Sequence, residues 1–268
     1  MPVWVRDFSP ASRQQYMVEE HVGRRESFME RKGRCGVCAL TVAYCVCGEL
    51  NKLSLDNFSF SVAVLMNTNE KYRSSNTAKV IEKVLDAKLL ISQVPADEET
   101  LDELLSKHAE NCFVLFPSED SQSFEDLPVF AEPPLIILLD GTWRQARRLN
   151  QRIPASVPRV KVNPNTLSQF LCRRQTMPGR VCTVEALSLV LKDMHFETES
   201  CQLEKGLNVL VEGFNKQCYG SSLRPPCMLK KLPAGKNLPP RHPASLIDSD
   251  PNKTHSSKPQ HSQRRPTH

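Results

Sequence analysis

Four cysteines fall within thirteen residues, as Cys35-x2-Cys38-x6-Cys45-x-Cys47. Thiolates at this spacing suit tetrahedral Zn²⁺, and the Cys-x2-Cys half makes one metal knuckle. The Cys-x-Cys half is tighter than the usual two-residue spacing. Because all four ligands come from the protein, the site reads as structural rather than as an open catalytic zinc. The competing reading is a set of free or redox thiols. Six further cysteines (Cys112, Cys172, Cys182, Cys201, Cys218 and Cys227) are scattered and need no special role, since buried free thiols are common.

A second constellation lies in "LIILLDGTWRQARRLNQ", Leu135 to Gln151. An apolar run ends in Asp140, a tight turn follows, then Trp143 and closely spaced arginines. In open parallel sheets, ligands collect outside the carboxyl ends of strands. An aspartate there can act as a proton acceptor, or serve only as a helix cap shared with Thr142. The spacing alone leaves both readings open. Trp143 is one of two tryptophans in the chain, and it is placed where an aromatic can stack on a base.

From Gly141 to Val184 there is no Asp or Glu, while Arg144, Arg147, Arg148, Arg152, Arg159, Lys161, Arg173, Arg174 and Arg180 stand in the same tract. Arg144, Arg147 and Arg148 are at i, i+3 and i+4, so they share one helix face. Trp143, Ala146, Leu149 and Ile153 fall off that face and can be buried. Arginine suits bidentate phosphate contact, so the tract reads as a polyanion-binding face. The plainer alternative is a solvated face whose acidic partners come from elsewhere in the fold.

These residues must be positioned by a scaffold, and its elements are legible. A helix is expected from about Ser12 to Met29. "FSFSVAVLM" alternates and is β-branched, so it predicts a strand. "LLIS", "CFVLFP", "LIILL" and "VPRVKV" predict four more. Between them, "AKVIEKVLDAK" carries Val80, Ile81, Val84 and Leu85 at helical spacing, with Asn76 or Thr77 as cap. "EETLDELLSKHA", Arg144–Arg152, Thr183–Lys192 and Ser200–Tyr219 predict the other helices. Near-continuous apolar strands alternating with helices argue an α/β fold, a mostly parallel sheet flanked by helices on both faces.

The 268 residues carry a formal net charge of +5. The excess is concentrated at the end: Arg224–His268 holds nine Lys/Arg against two Asp, and nine of the twenty prolines. That segment predicts a disordered basic tail, either without a task of its own or an electrostatic arm for RNA. The expected organisation is a helical segment over 1–31, a Cys-rich zinc module over 32–56, an α/β domain over 57–220 and the tail over 221–268. No apolar run reaches membrane-spanning length. The N-terminus has no apolar signal core, so a reducing compartment is expected, cytoplasmic, nuclear or organellar, which favours metal over disulfides for the cysteine cluster.

"DGTWRQARRL" resembles the signature of DTW-domain proteins, the tRNA-uridine aminocarboxypropyltransferases. "NEKYRSSNT" (Asn69–Thr77) is similar to that family's Glu/Arg/Asn-Thr segment after the first strand. "VLFPSED" is similar to its strand ending in Pro before an acidic turn. "RRQTMPGRVCTVEAL" is similar to the segment before a late helix, with Thr183 and Glu185 in a Thr-x-Glu pair. The cysteine cluster matches the family's N-terminal cysteines, and the resemblance spans roughly Cys35 to Tyr219. One departure stands out: a His-Pro pair common in the family is replaced here by Asn67 and Thr68.

The resemblance implies a SPOUT-like knotted core and, as in SPOUT-related proteins generally, a possible homodimer. It implies transfer of the 3-amino-3-carboxypropyl group of S-adenosylmethionine to N3 of a tRNA uridine, giving acp3U and 5′-methylthioadenosine. The catalytic turn would be Asp140, Thr142 and Trp143, with Asp140 as the base for N3. The donor would meet Glu70, Arg73, Asn76, Thr77, Pro117, Thr183 and Glu185, with Arg73 toward its carboxylate and Glu185 toward its ammonium. Arg144, Arg147, Arg148, Arg173 and Arg174 would hold tRNA phosphates. Cys35, Cys38, Cys45 and Cys47 would hold structural zinc. Two other readings fit the same residues: a SPOUT-like RNA methyltransferase using the same cofactor, and a non-catalytic zinc-containing RNA-binding protein.

Overall fold

The computed structural model describes residues 9–220, apart from 57, 131, 165–167, 169, 171 and 173–179. The basic tail and the pair Arg173 and Arg174 therefore lie outside the described residues. Helix α1 (Pro10–Arg31) starts on Ser9, whose side chain accepts from the Ser12 N–H, and Pro10 takes the first helical position, where its missing N–H costs nothing. The cysteine segment follows and ends in the short helix α2 (Cys47–Asn51).

Five strands then form one sheet: β1 (Ser61–Met66), β2 (Lys88–Ile91), β3 (Cys112–Leu115), β4 (Leu135–Asp140) and β5 (Arg159–Val160). The order is β2-β1-β4-β3-β5, and every pairing is parallel. The expected fifth strand "VPRVKV" is reduced to Arg159–Val160, and its other edge carries a parallel bridge from Val160 to Gln122, with the Lys161 N–H donating to the Gln122 carbonyl. The remaining helices are α3 (Ala78–Leu85), α4 (Pro95–Lys107), α5 (Trp143–Asn150), α6 (Thr183–Asp193) and α7 (Glu197–Tyr219).

Side chains alternate across a strand, and here both faces are covered. Val62, Val64, Met66, Ile136 and Leu138 pack with residues of α3, α6 and α7. Ala63, Leu65, Leu135 and Ile137 pack with Leu101 of α4 and with Ala146 and Leu149 of α5. Each such fully buried Val, Leu or Ile stabilises the fold by ~1.5–3 kcal/mol. The first cluster also contains Cys38, Leu40, Val46 and Leu50, so the cysteine segment shares the buried core of α3 and α7. The packing there is close. A Cβ on Gly213 of α7 would lie 2.5 Å from Cγ1 of Val46, and one on Gly206 would lie 2.6 Å from Cγ1 of Val80. Among the described residues, no helix is long and apolar enough to cross a membrane.

Candidate active site and metal centre

The central pair β1 and β4 end together, with Met66 opposite Asp140 in the register. The chain leaves β1 toward β2 on one side, while β3 lies beyond β4 on the other. Ligand crevices form where connections diverge at strand carboxyl ends, and Asp140 sits at that place.

Asp140 is buried, at 6% exposure. Its Oδ1 accepts from the Thr183 hydroxyl at 2.7 Å, and its Oδ2 accepts from the Asn76 amide. Asn76 in turn accepts the Ala78 N–H at 3.0 Å and so caps α3 with its side chain, while Thr77 holds the cap position without a side-chain bond. One carboxylate thus fixes the N-termini of α3 and α6 at the end of β4. It does not cap α5. Thr142 does that, in a reciprocal capping box with Gln145. Gly141 is required there, because a Cβ would lie 2.9 Å from Cβ of Gln145. The Thr142-x-x-Gln145 spacing was itself a readable capping-box signature.

Gln145 reaches further. Its Nε2 donates to Oδ1 of Asn67 at 2.9 Å, and the Asn67 N–H donates to the Asp140 carbonyl at 3.0 Å. Asn67 therefore ties the end of β1 to the start of α5. Thr68 is buried beside it, with its hydroxyl directed at the Ser92 carbonyl. At these two positions the side chains make scaffold bonds.

Trp143 differs from the other residues off the arginine face. Ala146, Leu149 and Ile153 are buried as their spacing predicts, but Trp143 is 37% exposed. As the first residue of α5 it stands at the lip of the sheet. Its ring lies 6.4 Å from that of Phe116, centroid to centroid, and the Arg180 guanidinium sits 4.3 Å from its centre. Burial, and repulsion by Arg147, lower the pKa of Arg180. Pro117, next after Phe116, is exposed on the same edge.

The arginines of the acid-free tract divide by role. Arg159 is buried and donates to the carbonyls of Ile153, Pro154 and Val157 and to Oδ1 of Asn150. Arg152 pairs with Glu98. Arg144, Arg147 and Arg148 are exposed and form no ion pair among the described residues.

Glu185 serves its own helix. Its carboxylate accepts the Cys182 N–H at 2.7 Å, the Ser168 hydroxyl at 2.6 Å and the Phe170 N–H at 3.2 Å. Glu70 is fully buried and lies 3.5 Å from Nε of Arg73. Arg73 itself is exposed.

Behind this edge lies the cysteine cluster. Cys35 and Cys47 have sulfurs 3.7 Å apart, as do Cys38 and Cys45, and all four ligand atoms fall within 4.8 Å of one another. An ion bonded tetrahedrally at ~2.3 Å to four sulfurs needs sulfur pairs roughly 3.8 Å apart, so the cluster fits zinc. Burial opposes ionisation of Cys35, but the backbone N–H groups of Cys38 and Val37 together with the thiols of Cys45 and Cys47 outweigh it and bring that thiol down to about 7. Burial and the nearby charges of Cys38 and Cys35 push Cys47 up. All four thiols would ionise in this space only with a cation among them.

Lys79, in the first turn of α3, joins the two sites. It is 3% exposed, and its Nζ donates to the Cys38 carbonyl at 3.1 Å and to the Arg73 carbonyl at 2.7 Å. Burial pulls its pKa down to about 8, against the pull of Cys38 and Asp140. Sequence reasoning missed Lys79, because nothing local separates it from Lys83 on the same helix.

Residues 32–217 match the DTW domain. Over 167 residues the chain is 26% identical to tRNA-uridine aminocarboxypropyltransferase 2 of Drosophila melanogaster, covering 60% of this chain and 66% of that protein. Over 193 residues it is 24% identical to the protein of the same name from Mus musculus, covering 68% of this chain and 62% of that one. The chain thus spans just under two thirds of the length of each of these relatives. No solved structure matches it. The matched region contains the cysteine cluster, the whole sheet and the Asp140 turn, and the chain belongs to the DTW-domain family.

Proposed function

We propose that this protein is a tRNA-uridine aminocarboxypropyltransferase, forming acp3U at N3 of a tRNA uridine with S-adenosylmethionine as donor. The relatives' names support the reaction class, and the observation that carries it to these residues is Asp140. It is a buried carboxylate at the crevice of a parallel sheet, beside an exposed tryptophan and an arginine face with no acidic partner among the described residues.

The donor supplies an electrophilic γ-carbon next to a sulfonium leaving group, with 5′-methylthioadenosine as the by-product. The chain's own residues would do the rest. N3 of uridine is a poor nucleophile until it loses its proton, and it lies on the Watson–Crick edge, so the base must leave any pairing. Trp143, with Arg180 on its ring, offers a stacking surface for that base. Arg144, Arg147 and Arg148 hold flanking phosphates, with Arg173 and Arg174 as further candidates. The N3 proton passes to Asp140 through the Thr183 hydroxyl, the more accessible of that hydrogen-bonded pair. Glu70, Asn76, Thr77, Pro117 and Glu185 frame the donor side of the crevice. Arg73, exposed on the loop before α3, offers its guanidinium to an anion, the donor's carboxylate or a phosphate of the RNA. Zinc in the cysteine cluster is structural in this reading, and the SPOUT-like knot belongs to it as well.

The test is nucleoside mass spectrometry of tRNA from cells lacking the protein, paired with product analysis in vitro. Loss of acp3U at a defined position and release of methylthioadenosine are expected. Unchanged acp3U, with S-adenosylhomocysteine as the product, would establish a methyltransferase instead. Absence of any turnover on unmodified tRNA would leave an RNA-binding protein.

A further inference from the structure

Away from the Asp140 crevice, α1 packs on the loop that follows β1. Met29 and Val22 of the helix meet Tyr72 of the loop, and the Tyr72 hydroxyl donates to Glu26. Between them opens a cavity of about 260 Å³, bordered by Arg25, Phe28, Arg34, Tyr72 and Arg73. Three of its lining residues are arginines and none is a carboxylate. The Nε of Arg25 is buried there without a hydrogen-bond partner among the described residues. The Arg34 guanidinium gives one N–H to the Ala39 carbonyl, and its other guanidinium N–H groups make no hydrogen bond among the described residues. Phe28 is 42% exposed, an aromatic face open to a flat partner.

Arginine forks and an accessible aromatic are what a phosphodiester and its base require. The cavity is smaller than the ~300–1,000 Å³ that encloses a whole drug-sized ligand, which suits one nucleotide of a longer strand. S-adenosylmethionine is a poorer match: its sulfonium and ammonium give it a net positive charge, and a lining of three arginines, of which only Arg73 has a carboxylate (Glu70) beside it, repels it. The position is also informative. The loop that lines the cavity with Tyr72 and Arg73 ends in Asn76, which is bonded to Asp140, so cavity and crevice lie on one loop. The opposite wall, α1, precedes the region that matches the DTW domain.

We propose that the cavity between α1 and the Arg73 loop is a nucleotide subsite of the RNA substrate. There Arg25, Arg34 and Arg73 hold a phosphate and Phe28 stacks on a base, so that α1 takes part in selecting which RNA is modified. This inference rests on the transferase reading for its choice of RNA as ligand.

The test measures direct binding of unmodified tRNA to the full chain, across a salt series, for wild type and for Arg25→Ala combined with Phe28→Ala. Binding about tenfold weaker is expected, with a salt slope flatter by about 0.7 for each phosphate that the variant no longer holds. Arg25→Lys, which keeps the charge and loses the fork, should keep the salt slope and lose part of the affinity. The exposed single variant Phe28→Ala should weaken binding by itself, with unchanged thermal stability. S-adenosylmethionine affinity, measured by calorimetry, should not move. Unchanged tRNA affinity and slope, with normal wild-type binding, would overturn the subsite and leave the transferase reading standing. Weakened S-adenosylmethionine binding with unchanged tRNA binding would assign the cavity to the donor and overturn it too. A wild-type protein that does not hold tRNA would overturn both.

Discussion

The Thr183 hydroxyl donates to Oδ1 of Asp140 at 2.7 Å, joining the first residue of α6 to the last residue of β4. The two residues are 43 positions apart in sequence. Together they present a carboxylate that is itself withdrawn from solvent but reachable through a hydroxyl.

Asp140→Asn should reduce turnover by ~10²–10⁴-fold, the usual contribution of a general base. Binding of tRNA should change little. Thr183→Val should also lower kcat, while Thr183→Ser retains it. Single-turnover assays with direct tRNA binding separate these effects. Full activity in Thr183→Val would remove the hydroxyl from the proton path.

The arginine face makes a separate prediction. Arg147→Ala with Arg148→Ala should weaken tRNA binding and flatten its dependence on salt by about 0.7–0.9 for each phosphate left without its arginine. Affinity measured between low and moderate salt checks this. An unchanged slope would mean that the face does not touch RNA.

The native protein should carry about one zinc per chain, detectable by elemental analysis of a preparation never exposed to chelator. Chelation or Cys45→Ser should unfold the region around α2 first, since a structural zinc contributes roughly 10 kcal/mol in favourable cases. A metal-free native preparation would return the cluster to the free-thiol reading.

Lys79→Met should disturb both sites at once. The carbonyls of Cys38 and Arg73 lose their shared donor, and each buried group left unsatisfied costs about 1–3 kcal/mol. Lower zinc retention together with weaker substrate binding is expected. If only global stability falls, Lys79 is a packing residue and does not couple the sites.

Gly213→Ala places a methyl against Val46, between Cys45 and Cys47, with Leu40 at 3.1 Å. Overpacking of this kind costs ~1–3 kcal/mol, and each kcal/mol moves Tm by about 2–4 °C in a domain of this size. A thermal denaturation curve decides it. A rise in Tm would show that the backbone yields at no cost.

Much of this protein was legible in the chain. Periodicity located all five strands and the principal helices, because alternation and helical spacing are local properties of the sequence. Cysteine spacing located the cluster, and its sulfurs do converge. The exposed face of Arg144, Arg147 and Arg148 followed from i, i+3 and i+4 alone. Tertiary structure decided the rest. The strand order placed β4 beside β1, which buried Asp140 and gave it to Asn76 and Thr183 instead of to the helix that follows it. Folding assigned Arg159 and Arg152 to internal partners and left the other three outward. It also drew Lys79 between Cys38 and Arg73, and set α1 against Tyr72. These interactions join residues far apart in the chain, and no local pattern encodes which distant carbonyl or carboxylate a polar side chain will meet once the core has closed.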